Sequence, residues 1–586
     1  MLLGFALGLG ILSQILLMAG FLRLMSRAVL WPLLLLAALV SYSGIKEFFR
    51  WVIHSLAAFR HSQRKGWHWV LLASGMVFLS AWAPPHHYDS LVYHLALPQR
   101  YILEKGIVPI PQNLYAYFPQ NAEMLYALCL LLDADVLTQL LNWASWMTAA
   151  GLIFVFAKRL TDARCAFLSV LFLAFQPTAM LLAGSSYVES LLGLWITCTL
   201  FCFERYRNQR DRNWLVLSAV FSGLSMGTKY YAVITAGILS LFLLGSALRN
   251  RQIFPKHLFL YAGIAGLIFS PWLVRNWISV QNPVFPFFHH LFTSEKSPWA
   301  PHSAEKYFRI LAEYNPRGNF WTELVRLPWK LGFGSLPYGG GMDVLGTMGW
   351  VIHLLAFPGW FWAAKKFPAL RPLMVYALLH GCLWFLTGTV LRFLSVLLPI
   401  LSLLTAASLY TAYQALTAPF KKTAVFLLGV FLLHQTYLFV YVQSSFQTER
   451  PVLGLETRDE FLSRRLSYYP AARWVNENLP KNATILLVGE QRSYYFQRKV
   501  LATTVFADNI FSNWPNEAKD SETLRNRLKG ELGVTHLLLI PKEAERLQKD
   551  YRIFDWTPLG EKNWKELLTR SIPLQRFRDA VLYALP

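Results

Sequence analysis

APPHHYDSLVYHLALPQRYILEKGIVPIPQNLYAYFPQNAEMLYAL, residues 83–128, starts where one apolar run ends and leads toward the next. Its amphipathic pieces and many aromatics suit a segment lying in the plane of a membrane interface. The apolar runs around it decide the fold class. A membrane-spanning helix needs about 20 mostly apolar residues. About thirteen stretches are candidates: 1–22, 28–45, 67–83, 136–157, 163–182, 187–203, 214–228, 230–248, 257–275, 343–364, 371–388, 391–415 and 423–443.

The composition agrees. Of 586 residues, 15% are charged, against about a quarter in soluble domains. The 22 Trp and 42 Phe suit lipid-facing surfaces with interfacial aromatic belts. A net charge of +22 on a soluble protein would suggest nucleic acid. Here the basic residues fall in short loops and no basic groove interleaved with aromatics exists, which sets nucleic acid aside. Cys129, Cys165, Cys198, Cys202 and Cys382 all lie in apolar stretches without zinc-ligand spacing and read as packing residues. The N-terminus has no cationic region and no clear cleavage site, so its first helix is expected to be retained.

Loop charge sets the expected topology. With the N-terminus cytoplasmic, the inside loops carry Lys46, Arg50, Arg60, Arg64 and Lys65; Lys158, Arg159 and Arg164; Arg205, Arg207, Arg210 and Arg212; Arg249, Arg251 and Lys256; Lys365, Lys366 and Arg371; and Lys421 and Lys422. Arg23 and Arg27, in the first hairpin, run against the pattern. The division expected is 1–66, two N-terminal membrane helices and a cytoplasmic loop; 67–444, a transmembrane core with outer loops at 84–135 and 276–342; and 445–586, an outer-side α/β domain. In that tail ATILLVG (483–489) and VTHLLLIP (534–541) read as buried strands and YPAARWVNENL (469–479) as an amphipathic helix.

The candidate chemistry lies on the expected outer side. Asp89 sits about one turn beyond the membrane exit, beside Tyr88, and shares a helix face with Tyr93 four residues on. A carboxylate there can orient or deprotonate an acceptor; as an N-cap it would only start a helix. Glu123 is a first-turn acid, a placement the helix dipole alone explains, or a substrate-positioning group. His86, His87 and His94 raise the question of a divalent metal with Asp89. Adjacent histidines diverge, which favours interfacial or hydrogen-bonding roles. Glu189 stands at the end of a membrane hairpin, where an ionisable group is a functional candidate or an exposed loop acid. Lys229, Arg275 and Arg392 recur at outer membrane ends, suited to a phosphate or to snorkelling.

YDSLVYH (88–94), YFPQNAEMLY (117–126), YVES (187–190), GTKYYA (227–232), PWLVRNW (271–277), NPVFPF (282–287) and LRFLSVLLP (391–399) together resemble the GT-C superfamily of membrane glycosyltransferases. The similarity is to bacterial relatives of protein O-mannosyltransferases and of the aminoarabinose transferase that modifies lipid A. It runs from about 67 to 445, with a weaker match in the tail. The resemblance implies a polyprenyl-phosphate-linked sugar donor and a lipid, glycan or protein acceptor on the outer face. Asp89 then matches the catalytic first-loop acid and Glu189 a later acidic position. Lys229 and Arg392 match donor-phosphate positions, Arg275 less closely, with Tyr88, Tyr93, His94 and Glu123 positioning substrate. Ser90 follows Asp89, a departure from the Asp-Glu pair of the protein mannosyltransferases.

The expected function is inverting sugar transfer in a bacterial inner membrane, with the tail periplasmic and no cofactor specified. Two other readings stand beside it. A glycan polymerase or ligase would use a late outer loop such as the one holding His289, His290, His302, Arg309 and Arg317. A flippase or transporter would need charges deep inside the spans, and most spans lack them.

Overall fold

The computed structural model describes residues 1–40, 42, 44, 46, 47, 50, 66–249, 254–292, 294–299, 301–315, 319–334, 336 and 348–586. Arg60, Arg64, Lys65, Arg251 and Arg317 lie outside them. Each of the apolar stretches contains helix, but they differ in length. Among the described residues, six helices are long and apolar enough to cross a membrane: Leu2–Phe21, Val136–Leu160, Lys256–Val280, Pro368–Thr387, Leu391–Ala415 and Ala418–Phe446. The chain is thus an integral membrane protein by helix length and composition.

Several of the expected spans are shorter or broken helices. Trp67–Ala81, Arg212–Met226 and Val351–Lys366 have 15 or 16 residues. At 1.5 Å per residue they reach roughly 22–24 Å, short of a hydrocarbon core of about 30 Å. Glu189–Gln209 has 21 residues but ends in ERYRNQ. The expected span 163–182 is two helices, Ala163–Ala174 and Pro177–Ala183, bent by 66°. The bend has a local cause. A residue before proline is steered out of helical backbone, and Gln176 is extended there while its side chain accepts from Ala179 N.

The chain divides into two compact units. The first comprises Met1–Ala83, Pro119–Pro271 and Leu311–Val452. Among its membrane-length spans the most buried is Leu391–Ala415, whose serines, threonines and alanines admit close neighbours. Ser408 donates to the Ala356 carbonyl at 2.8 Å and Thr405 bonds His353 at 2.8 Å. Leu2–Phe21 packs into the same unit, where Ala6 O accepts from Trp195 and Ser13 donates to Asn121 O. Cys129, Cys165, Cys198 and Cys202 are buried as expected, whereas Cys382 is exposed.

The second unit comprises Pro84–Phe118, Trp272–Ile310 and Leu453–Pro586. Its sheet contains β1 (Thr484–Val488), β2 (Lys499–Ala502), β3 (His536–Leu539), β4 (Ile572–Arg576) and β5 (Val581–Ala584), in the order β2-β1-β3-β5-β4. β1 runs parallel to both neighbours, Leu486 facing Leu501 and Leu537. The helix Tyr469–Asn478 lies where the sequence places it. The α/β tail is therefore observed, with three further strands. Gly489 ends β1 at φ +80°, and a Cβ there would meet Ala544 Cβ at 2.3 Å. Only glycine makes that turn without displacing the helix Pro541–Tyr551.

Candidate active site

In the first unit, three of the singled-out charges meet. Glu189 opens the helix Glu189–Gln209 and its side chain is 1% exposed. Its Oε1 accepts from Lys229 Nζ at 2.8 Å and lies 3.3 Å from Arg392 Nε. Aromatic rings complete the shell. Lys229 stands 4.2 Å from the centre of Phe393, and Arg392 stands 4.8 Å from that of Tyr187. Two cations on one carboxylate leave the triad with a net positive charge in a largely desolvated place, where charge interactions are strong. The arrangement suits binding of an anion. Glu189 is not the exposed loop acid of the simpler reading.

Local structure explains the placement. The turn before Glu189 is tied by Asn142, whose amide donates to the carbonyls of Ser185, at 2.7 Å, and Tyr187. Tyr126 donates to the Tyr187 carbonyl at 2.6 Å, and Thr138 bonds Ser186 at 2.7 Å. Lys229 follows a turn in which Gly227 O accepts from Asn121 N at 2.8 Å, and a Cβ on Gly227 would meet the Asn121 amide nitrogen at 2.2 Å. YFPQNAEMLY thus supports both YVES and GTKYYA. Sequence reasoning assigned no role to Asn142, although a polar residue inside an apolar span was the available signal. Glu123 is buried in the first turn of Asn121–Leu131.

In the second unit, Asp89 precedes a single π-helical turn, Ser90–His94, in which Leu95 N bonds Ser90 O at 2.8 Å. Such turns recur at functional sites. The Asp89 carboxylate makes no capping bond. It accepts from Tyr93 Oη at 3.1 Å, and Tyr93 stacks on Tyr115 with ring centres 4.0 Å apart. The face shared by Asp89 and Tyr93 is therefore observed. Tyr88 accepts from Gln491 Nε2 at 2.9 Å and donates to Glu543 Oε1 at 3.1 Å. Burial, with Glu490 and Glu543 nearby, pushes its phenol well above the ordinary range, so it remains a donor.

His86 and His87 are buried, their ring centres 4.2 Å apart, and His86 Nδ1 bonds Pro84 O at 3.0 Å. Burial, reinforced by Arg465, lowers His86 to about 3, which keeps it neutral. His94 is buried against Tyr93. Among the described residues, no group of three or more His, Cys, Asp or Glu is placed to hold a metal. Arg275 lies 2.7 Å from Asn276 Oδ1 and 3.4 Å from the Phe118 carbonyl, while Asn276 donates to Tyr117 O at 2.7 Å. Arg275 belongs to a different unit from Lys229 and Arg392, and its visible bonds secure the first loop.

In fold, a long helical membrane part with a small α/β tail, the chain is similar to solved structures of ArnT. Residues 126–275 match the family model of dolichyl-phosphate-mannose-protein mannosyltransferase. The chain is similar to apo ArnT from Cupriavidus metallidurans, with 14% identity over 90% of this chain and 99% of that one and a TM-score of 0.52. ArnT from the same organism bound to undecaprenyl phosphate gives 14% identity over 89% and 98% and a TM-score of 0.53. The apo oligosaccharyltransferase of Archaeoglobus fulgidus gives 13% identity over 85% and 73%, with a TM-score of 0.48. No curated protein matches the sequence.

Proposed function

We propose that this chain is an inverting glycosyltransferase that moves a sugar from a polyprenyl-phosphate donor to a lipid, glycan or protein acceptor. The bacterial inner membrane is its expected place, with the tail and the reaction on the periplasmic side. The observation that carries the reading is the buried triad of Glu189, Lys229 and Arg392, whose net positive charge suits a lipid phosphate. The family match over 126–275 and the similarity to an ArnT that binds undecaprenyl phosphate support it.

In this reading Asp89 accepts the proton of an acceptor hydroxyl as that oxygen attacks the anomeric carbon. The bond from that carbon to the phosphate oxygen breaks, and the polyprenyl phosphate leaves with the electron pair. Lys229 and Arg392 stabilise the charge gathering on it. One displacement inverts the anomeric centre, and a phosphate leaving group needs no separate acid. Glu189 sets the position of the two cations. Tyr93 orients Asp89, while His94 and Glu123 shape the surroundings.

Binding of polyprenyl phosphate to the purified chain in nanodiscs tests the carrying observation. Lys229→Met and Arg392→Met are each expected to weaken it at least tenfold. Unchanged binding in both would remove the phosphate from this site.

A further inference from the structure

The residue before Asp89 is gripped by the C-terminal domain. Tyr88 Oη has three partners there: Gln491 Nε2 at 2.9 Å, Glu543 Oε1 at 3.1 Å and Arg546 Nη2 at 3.2 Å. The guanidinium carbons of Arg492 and Arg546 stand 5.0 and 5.3 Å from its ring centre, within cation–π range. Each gripping residue is itself fixed. Arg492 forks onto Glu490 at 2.8 and 2.5 Å, and Glu490 is fully buried. Arg546 forks onto Glu543 at 2.9 and 2.6 Å. Gln491 Oε1 accepts from Val505 N at 2.9 Å.

These groups come from two places on the sheet. Gln491 and Arg492 follow β1 through the Gly489 turn, and Glu543 and Arg546 lie on the helix after β3. The first loop is held at other points as well, by Tyr495 on Pro85 O at 2.6 Å and Gln99 on Phe496 O at 3.1 Å. The Tyr88 contact adjoins the candidate acid. A stiff peptide between Tyr88 and Asp89 transmits the grip, because it leaves few soft torsions between them. Catalytic groups gain from such support, since small misplacements cost large factors in rate.

We infer that the C-terminal domain acts as a clamp on Tyr88 that positions Asp89 for the reaction, with Gln491, Arg492, Glu543 and Arg546 as positioning residues. The inference rests on the transferase reading for the role of Asp89, but the clamp itself is a physical contact that can be measured without activity.

The test compares the full-length parent, Arg546→Met and Tyr88→Phe in nanodiscs. Hydrogen exchange is read over residues 86–95 and over β1, and sugar transfer is resolved into kcat and donor KM. The clamp predicts at least tenfold faster exchange over 86–95 in Arg546→Met with β1 unchanged. It also predicts kcat lowered at least tenfold and donor KM within twofold. Tyr88→Phe keeps the ring near both arginines and should fall between Arg546→Met and the parent. Unchanged exchange over 86–95 would overturn the clamp, and faster exchange at full kcat would overturn its link to Asp89. A parent that transfers no sugar would instead overturn the transferase reading, leaving exchange alone to decide whether the clamp exists.

Discussion

Lys229 and Arg392 converge on one oxygen of Glu189, so the three side chains behave as a unit. Removing one member of a buried ion group costs more than the group contributes, because the remaining charge is left uncompensated. Glu189→Gln should therefore destabilise the fold by about 3–5 kcal/mol, since both cations lose the carboxylate they share. Adding Lys229→Met should recover part of that loss, so thermal unfolding of the two single variants and the double variant should be strongly non-additive. Additive losses would mean the charges do not interact. In sequence each of these residues was legible as a charge at the end of an apolar run. That they share a single oxygen was not, because the shared contact depends on the tertiary placement of YVES, GTKYYA and LRFLSVLLP.

His86 supplies a pH prediction at the same scale. Burial, with Arg465 adding to it, lowers the folded value to about 3 from an ordinary 6.5. Between those values the unfolded chain binds a proton that the folded chain does not. The stability from neutral His86 is thus complete above pH 6.5 and is lost as pH falls toward about 3. At pH 4.5 the loss should be on the order of 2–3 kcal/mol. His86→Gln should flatten the dependence of the unfolding midpoint on pH over that window, and an unaltered slope would contradict the assignment.

Among the elements, the β1 turn makes the sharpest demand. Gly489 combines φ +80° with an approach to Ala544 that leaves no room for a methyl group. Gly489→Ala should cost about 2 kcal/mol or more through backbone strain and overpacking. Because Gln491 and Arg492 follow directly, it should also loosen the hold on Tyr88, seen as faster exchange over residues 86–95. Native stability in that variant would show that the turn relaxes without penalty. β1 and β3 were readable from continuous apolar runs. β2 and β5 are only four residues each, and β4 is an exposed edge containing Pro573, so none carries a usable period. The π-helical turn after Asp89 left no sequence signature either, and its ordinary helical reading differs by one residue per turn.

For the whole molecule, the helical membrane part and the α/β tail were legible because hydrophobic length and strand composition are properties of local sequence. The lengths and bends of the individual helices were not. Apolar composition does not reveal where a helix stops at 15 residues or bends by 66° at Gln176–Pro177. Sugar transfer by the parent chain and by Asp89→Asn in nanodiscs, with radiolabelled polyprenyl-phosphate sugars and a membrane extract as acceptor, tests the proposed transferase chemistry most directly. The account predicts transfer by the parent and at least a hundredfold loss in Asp89→Asn, with folding and donor binding intact. Full transfer by Asp89→Asn would remove the carboxylate from the mechanism, and a parent that transfers no sugar from any donor would contradict the transferase reading itself.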